Sequence, residues 1–204
     1  MARRLALVSP PPLERTIRAK VLADADHYEH LIRSIVERAE TSVWISTANV
    51  KEMMVEAPIG TRARAKGSYV SILDVFDRLA AKGVELRLLH AGVPSRAFRA
   101  SLARHPRLVR GGLAMRQCPR VHLKIIAVDG ASLYVGSANF TGAGLGAKGD
   151  GRRNFELGIV TDDTALLDDA QARFDRIFSG RACKSCTMRA LCPKPIDTLV
   201  ARCG

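Results

Sequence analysis

His122 and Lys124 stand two residues apart in the run VHLKIIAVD. In a strand that spacing puts both side chains on one face and leaves Leu123, Ile125 and Ala127 for the other, apolar face. Asp129-Gly130 is a two-residue hairpin signal, and the register it implies sets His122 across from Ser137, with Asn139 on the same face. A histidine, a lysine, a hydroxyl and an amide then share one polar patch. A histidine alone in a strand is more often a satisfied polar spot, but this company points to attack on a phosphodiester. Neutral imidazole is a nucleophile toward phosphorus, and Lys124, Ser137 and Asn139 can donate to the nonbridging oxygens where charge gathers. The ring must present one nitrogen without a proton, so an acceptor has to engage the other, and Glu156 in NFELGIV is the candidate orienter.

A second constellation lies near the C-terminus, where Cys183-x2-Cys186-x5-Cys192-Pro193 is followed by Cys203. Thiolates at such spacing can close a tetrahedral zinc site, with Cys203 the simplest fourth ligand. The run also resembles the iron–sulfur cysteines of RecB-family exonucleases, which implies a fourth ligand from far upstream. Cys118 fills that role only if the tail folds back toward the strand leading to His122, and alone it reads as a small buried apolar residue. Zinc and an iron–sulfur cluster both remain open. Arg152 and Arg153, with Arg62, Arg64 and Lys66, could form rims that track a nucleic-acid backbone, although each by itself is an ordinary exposed charge.

The elements that must position these groups follow from periodicity. Residues 1–23 carry Pro10, Pro11 and Pro12 and read as an arm. A helix is expected from an Asp24 or Asp26 cap to about Thr41, with Tyr28, Leu31, Ile32, Ile35 and Val36 as its stripe. Strand SVWISTANV follows, ending at Asn49 where loops leave the sheet, and KEMMVEAPIGTRARAKG reads as an irregular basic loop. Ser68 is the expected cap of a helix carrying Val70, Leu73, Phe76, Leu79 and Ala80, stopped by Gly83. Then come strand VELRLLH, a helix near 95–104, strands near 113–117, 121–128, 131–137 and 155–160, and a last helix over 163–178. Helices that enter strands through short joints indicate an α/β layer structure, here one domain over 24–180 with a small cysteine-rich module over 181–204. GAGLGAKGDGRR, flanked by strands, reads as a flexible loop rather than a dinucleotide fingerprint.

The 204 residues carry 32 Lys and Arg against 20 Asp and Glu, a net charge of +12, which favours a polyanionic partner, nucleic acid before an anionic membrane. No stretch approaches the roughly 20 apolar residues of a membrane span, and the apolar run before the prolines is too short for a secretory signal, so a cytoplasmic protein is expected.

The string His122-x-Lys124-x4-Asp129, followed by Gly136-Ser137-Ala138-Asn139, resembles the HKD motif of the phospholipase D superfamily, and Asn154-Phe155-Glu156 resembles the acidic strand of its bacterial nucleases. The resemblance spans about residues 26–180. It implies a mixed sheet flanked by helices and a phosphohistidine formed on His122 without a catalytic metal ion. In it Lys124 and Asn139 bind phosphate, Ser137 assists, Glu156 polarises the histidine, and Asp129 is structural. The chemistry calls for two histidines, and this chain has one motif, with His27, His30, His90 and His105 outside any HxK pattern. Single-motif members pair across a twofold axis, so a homodimer is expected. A nuclease is the first expectation. A lipid phosphodiesterase, with Met53, Met54, Val55 and Ile59 as an apolar lip, and a nucleic-acid-binding subunit of a defence or repair complex are the alternatives.

Overall fold

A computed structural model describes residues 16–57, 60–192 and 194–200. Its strands are β1 (Ala19–Ala23), β2 (Ser42–Thr47), β3 (Met54–Glu56), β4 (Tyr69–Ser71), β5 (Glu85–His90), β6 (Ala114–Gln117), β7 (Ile125–Val128), β8 (Ser132–Gly136) and β9 (Leu157–Thr161). Its α-helices are α1 (Arg62–Ala65), α2 (Ile72–Ala81), α3 (Arg96–Leu102), α4 (Thr164–Phe178) and α5 (Asp197–Val200). Seven strands form one mixed sheet in the order β1-β9-β8-β7-β2-β5-β6, with β2, β5 and β6 parallel and the remaining pairings antiparallel. Ile126, Val128 and Tyr134 on one face pack with Leu31 and Ile32 and with Leu73 and Phe76 of α2, whereas Ile125, Ala127 and Leu133 on the other meet Leu167 and Ala170 of α4. Helices on both faces of a mixed sheet are the expected α/β architecture.

Several expected boundaries shift for local reasons. Residues 19–23 are an edge strand paired with β9, so the sheet begins inside the stretch expected to be an arm. The helix expected from Asp24 winds as a π-helix over His27–Arg33 and a 3₁₀ turn over Val36–Arg38. Asp24 is not its cap: the residue sits at φ 44°, and its carboxylate accepts from the Glu156 N–H at 2.8 Å. Ser71, rather than Ser68, caps α2 through a capping box with Asp74, while Gly83 takes the expected left-handed conformation at φ 87°. The supposed irregular loop contains β3 and α1, and β3 pairs with β4.

Two corrections bear on function. Met53 and Val55 are fully buried, so they cannot form an apolar lip; Met54 is exposed and Ile59 lies outside the described residues. The stretch after Asn139 is not a flexible loop throughout. Leu145 is in the core, the Gly144 N–H donates to Thr141 Oγ1 at 2.9 Å, and a Cβ on Gly144 would fall 2.6 Å from the Asn139 carbonyl oxygen. The described residues of 181–200, where a cysteine-rich module was expected, pack against the domain. Too short to bury a core, they run as 3₁₀ turns at Arg181–Cys183 and Arg189–Leu191 and dock Ile196 among Leu89, Val121 and Phe174.

Candidate active site

The residues singled out for chemistry collect at one edge of the sheet. Ser46 pairs with Ile125, so the segment before β7 that carries His122 and Lys124 lies just past the C-terminal end of β2. Gly136 pairs with Gly158, so Ser137 leaves β8, and Glu156 enters β9, at that same edge. Adjacent strand ends roughly 4.8 Å apart thus place these groups side by side.

The hairpin register differs from the expected one by one residue. Ile125 pairs with Val135 and Val128 with Ser132, which would set Leu123, not His122, across from Ser137. The cause is a longer turn. Asp129 and Gly130 both take positive φ, 56° and 62°, and the Ala131 N–H closes on the Val128 carbonyl at 3.0 Å. Burial pushes the Asp129 carboxyl up, but the N–H groups of Ser42, Thr41 and Glu40 outweigh it and hold the acid below its ordinary value. That is the structural role expected of Asp129: it ties the β7–β8 turn to the start of β2.

What brings the groups together is departure from regular pairing. His122 and Lys124 precede the ladder of β7, with His122 exposed and the Lys124 Nζ 3.2 Å from its Nδ1 and 3.1 Å from its carbonyl oxygen. An ammonium only donates, so a ring nitrogen facing it offers a lone pair. Ser137 is bound to β9 instead of to β7. Its N–H donates to the Leu157 carbonyl at 3.0 Å, the Leu157 N–H returns to its Oγ at 3.1 Å, and its hydroxyl makes a short hydrogen bond to Glu156. Asn139 is bound to the end of β2. Its Oδ1 accepts from the Asn49 N–H at 3.2 Å, with Thr47 Oγ1 equally close. With the oxygen so held, the Nδ2 end of the amide is the donor left for a ligand.

Glu156 does not engage His122. Among the described residues its carboxylate accepts from Ser137 Oγ and, at 3.0 Å, from Asn154 Nδ2. The basic rim is likewise not gathered. Arg64 is ion-paired with Glu56 and Arg153 with Asp150, which leaves Arg62 and Arg152 exposed without an ion-pair partner among the described residues.

Beneath the edge lies a buried relay that motif reading passed over. The His27 Nδ1 lies 3.1 Å from the Asp24 carbonyl, which can only accept, so Nδ1 carries the proton and Nε2 accepts from the Tyr134 hydroxyl at 3.0 Å. The Ala138 N–H donates to that hydroxyl oxygen at 3.3 Å. Burial lowers the His27 pKa from its ordinary 6.5, opposed by the Asp24 hydrogen bond, and burial pushes Tyr134 up to about 12. The ring of Tyr134 occupies the space over two cross-strand glycines. A Cβ on Gly136 would sit 2.3 Å from the tyrosine oxygen and one on Gly158 2.4 Å from its ring. Gly136 in the GSxN string is therefore the residue that lets Tyr134 reach under the Ser137–Asn139 turn. The signal available beforehand was Tyr134 two residues before that glycine on an alternating strand.

A family model described as "Cardiolipin synthase, PLD-like domain" matches residues 31–178, more than two thirds of the chain and all of the edge just described. The chain belongs to the phospholipase D-like family. Solved structures of similar fold include Nuc, a phospholipase D family member from Salmonella typhimurium, at 19% identity and TM-score 0.52, covering 78% of this chain and 93% of that one. NucT from Helicobacter pylori aligns at 14% identity and TM-score 0.55, covering 79% and 95%. Polyphosphate kinase from Porphyromonas gingivalis aligns at 14% and 0.53, covering 80% of this chain and 26% of the kinase. Among curated protein sequences none matches significantly. At these identities the structures share the phospholipase D-like fold with this chain. No helix among the described residues is long and apolar enough to cross a membrane.

Proposed function

We propose that the chain is a phosphodiesterase that cleaves nucleic acid through His122. The observation that carries this reading is the convergence of His122–Lys124, Ser137–Glu156 and an oriented Asn139 amide on one sheet edge. A ring nitrogen of His122 attacks phosphorus, the bond to the leaving oxygen breaks, and that oxygen takes a proton from a second imidazole. Water then attacks the phosphohistidine, giving its proton to the second imidazole and freeing His122. Lys124 and the Asn139 Nδ2 donate to the nonbridging oxygens. Glu156 serves the site through Ser137, holding its hydroxyl oxygen in place. The nucleophile is a side chain, so the scheme assigns no step to a metal ion.

The second imidazole belongs to His122 of another copy. Support comes from the face of β1, β9 and β8 that α4 leaves open, where Val21 is 61%, Leu157 63% and Val135 36% exposed, beside Phe155 at 96%. This apolar surface borders the catalytic edge, and closing it against its own twofold mate covers it and brings two His122 rings to a shared ester. Nucleic acid is favoured over lipid by the +12 charge, by exposed Arg62 and Arg152, and by the burial of Met53 and Val55.

The test is hydrolysis of labelled single- and double-stranded DNA, RNA and phosphatidyl vesicles in chelator. Nucleic acid alone should be cut, and His122→Ala should lower the rate by about 10⁴-fold with its fold intact. Cleavage of the lipid alone, or a variant as active as wild type, overturns the reading.

A further inference from the structure

The described cysteines fall around one cavity. Cys118, Cys183, Cys186 and Cys192 line a space of about 130 Å³, and none of the four is in a disulfide. Three come from a segment wound in turns of three residues. The Cys183 N–H donates to the Gly180 carbonyl, that of Cys186 to Cys183, that of Arg189 to Cys186 and that of Cys192 to Arg189. With 3₁₀ turns at Arg181–Cys183 and Arg189–Leu191, the segment brings Cys183, Cys186 and Cys192 to the same cavity. The fourth thiol comes from the end of β6. The Cys118 N–H is held by the His90 carbonyl at 2.8 Å, and its own carbonyl accepts from the Val121 N–H at 2.9 Å, closing a tight turn directly before His122. Ile196, packed on Val121, clamps the cysteine segment against that turn.

The surroundings suit thiolates. Arg120 Nη1 lies 3.3 Å from Cys186 Sγ. Residues 181–194 carry Arg181, Lys184, Arg189 and Lys194, of which Arg181 pairs with Asp175 and Arg189 with Asp197. Thiolates are the ligand form, and cations around them offset the negative charge that a thiolate-bound cluster carries. The size of the cavity also bears on the ligand. A zinc ion draws its sulfurs to about 2.3 Å from one centre, whereas a cluster several atoms wide takes one thiolate at each corner and spans a cavity.

We propose that Cys118, Cys183, Cys186 and Cys192 hold a [4Fe–4S] cluster in this cavity, and that the cluster fixes the Cys118–Val121 turn from which His122 projects. Binding deprotonates the four thiols and releases their protons to solvent, and a [4Fe–4S] core of charge +2 assembled from two ferrous ions, two ferric ions and four sulfides needs no net electron transfer. Four thiols complete the ligand set without Cys203, which lies outside the described residues. The second clause rests on the catalytic reading of His122; the first does not.

The whole chain, purified anaerobically or reconstituted with equal ferrous and ferric iron and sulfide, is analysed for iron, labile sulfide and zinc, and by visible absorbance and Mössbauer spectroscopy. Brown protein with equal iron and sulfide and a [4Fe–4S] spectrum is expected, retained in Cys203→Ser and lost in Cys118→Ser. Colourless protein with stoichiometric zinc, absence of bound iron after reconstitution, or a cluster that survives Cys118→Ser but not Cys203→Ser overturns the assignment. The wild-type spectrum decides even if Cys118→Ser fails to fold. Turnover is then compared between cluster-loaded and cluster-free protein of equal circular dichroism. A drop of about tenfold or more supports the coupling to His122, and equal turnover overturns that clause alone. Absence of all hydrolysis leaves the metal result standing and counts instead against the proposed reaction.

Discussion

Two stretches meet at residues 118–124, and they are held by different means. On one side the strand ends bearing Ser137, Asn139 and Glu156 are locked by the sheet and by hydrogen-bond partners: the buried Tyr134 hydroxyl, the Asn49 N–H and the half-buried Asp24 carboxylate. On the other, the described residues of 181–196 hang on short turns and, among them, on one buried side chain, Ile196. The candidate catalytic edge is preorganised by the polypeptide itself, whereas the described cysteine segment has polar backbone turns and little apolar burial, the profile of a region that opens locally before the rest unfolds. With the proposed cluster, the fold would carry one site that exists without a ligand and another whose order depends on one.

The sharpest way to break this contrast is to crowd the glycines over Tyr134. Gly136→Ala or Gly158→Ala should destabilise the whole domain by about 1–3 kcal/mol or more, because the methyl has no room against the tyrosine ring. Gly149→Ala, with nothing near its Cβ position, is the control and should be close to neutral. Chemical denaturation with unchanged slope measures both; equal stability of all three would mean the edge is less tightly built than described.

Acid should also strike the sheet side. Burial keeps the pKa values of His27 and His90 below the ordinary 6.5, so the unfolded chain binds protons that the folded chain refuses. Stability is then complete above pH 6.5 and falls as pH drops toward the lowered folded values, with a slope of at most about 1.4 kcal/mol per pH unit for each ring. Urea midpoints at pH 7.5 and 5.5 test this, and His27→Gln should flatten the dependence; an unchanged profile would mean that His27 is not the proton-refusing group.

The smallest effect belongs to the cysteine side. Gly180 ends α4 at φ 79°, and a Cβ there would approach the Asp197 N at 2.8 Å. Gly180→Ala should cost about 1 kcal/mol and show as faster amide exchange confined to residues 181–200, with the strands unaffected. Faster exchange across β7 and β8 would show instead that the two stretches unfold together.

Much of this molecule was legible in its residues. Alternation and punctuation located β2, β5, β6, α3 and α4 within a residue or two, because apolar periodicity and caps such as Ser95 and Asp163 are local properties. The HxK, GSxN and acidic-strand residues were identified by type and spacing. Their joint geometry was not, since it turns on one extra residue in the Asp129–Ala131 turn, on the bend after Gly136, and on whether Glu156 faces His122 or Ser137. Likewise, counting thiols suggested a site but could not choose between Cys118 and Cys203.

What the sequence determined by itself was chemistry: which side chains can attack, donate or ligate, and which runs must form strands or helices to bury their apolar faces. Only the tertiary structure decided partners, because contacts between residues far apart depend on strand order, register and the volume left under Tyr134. It put a cysteine from the end of β6 beside three from the tail and gave Glu156 to Ser137. Local sequence carries propensity and period, whereas adjacency between distant segments exists only once the core has closed.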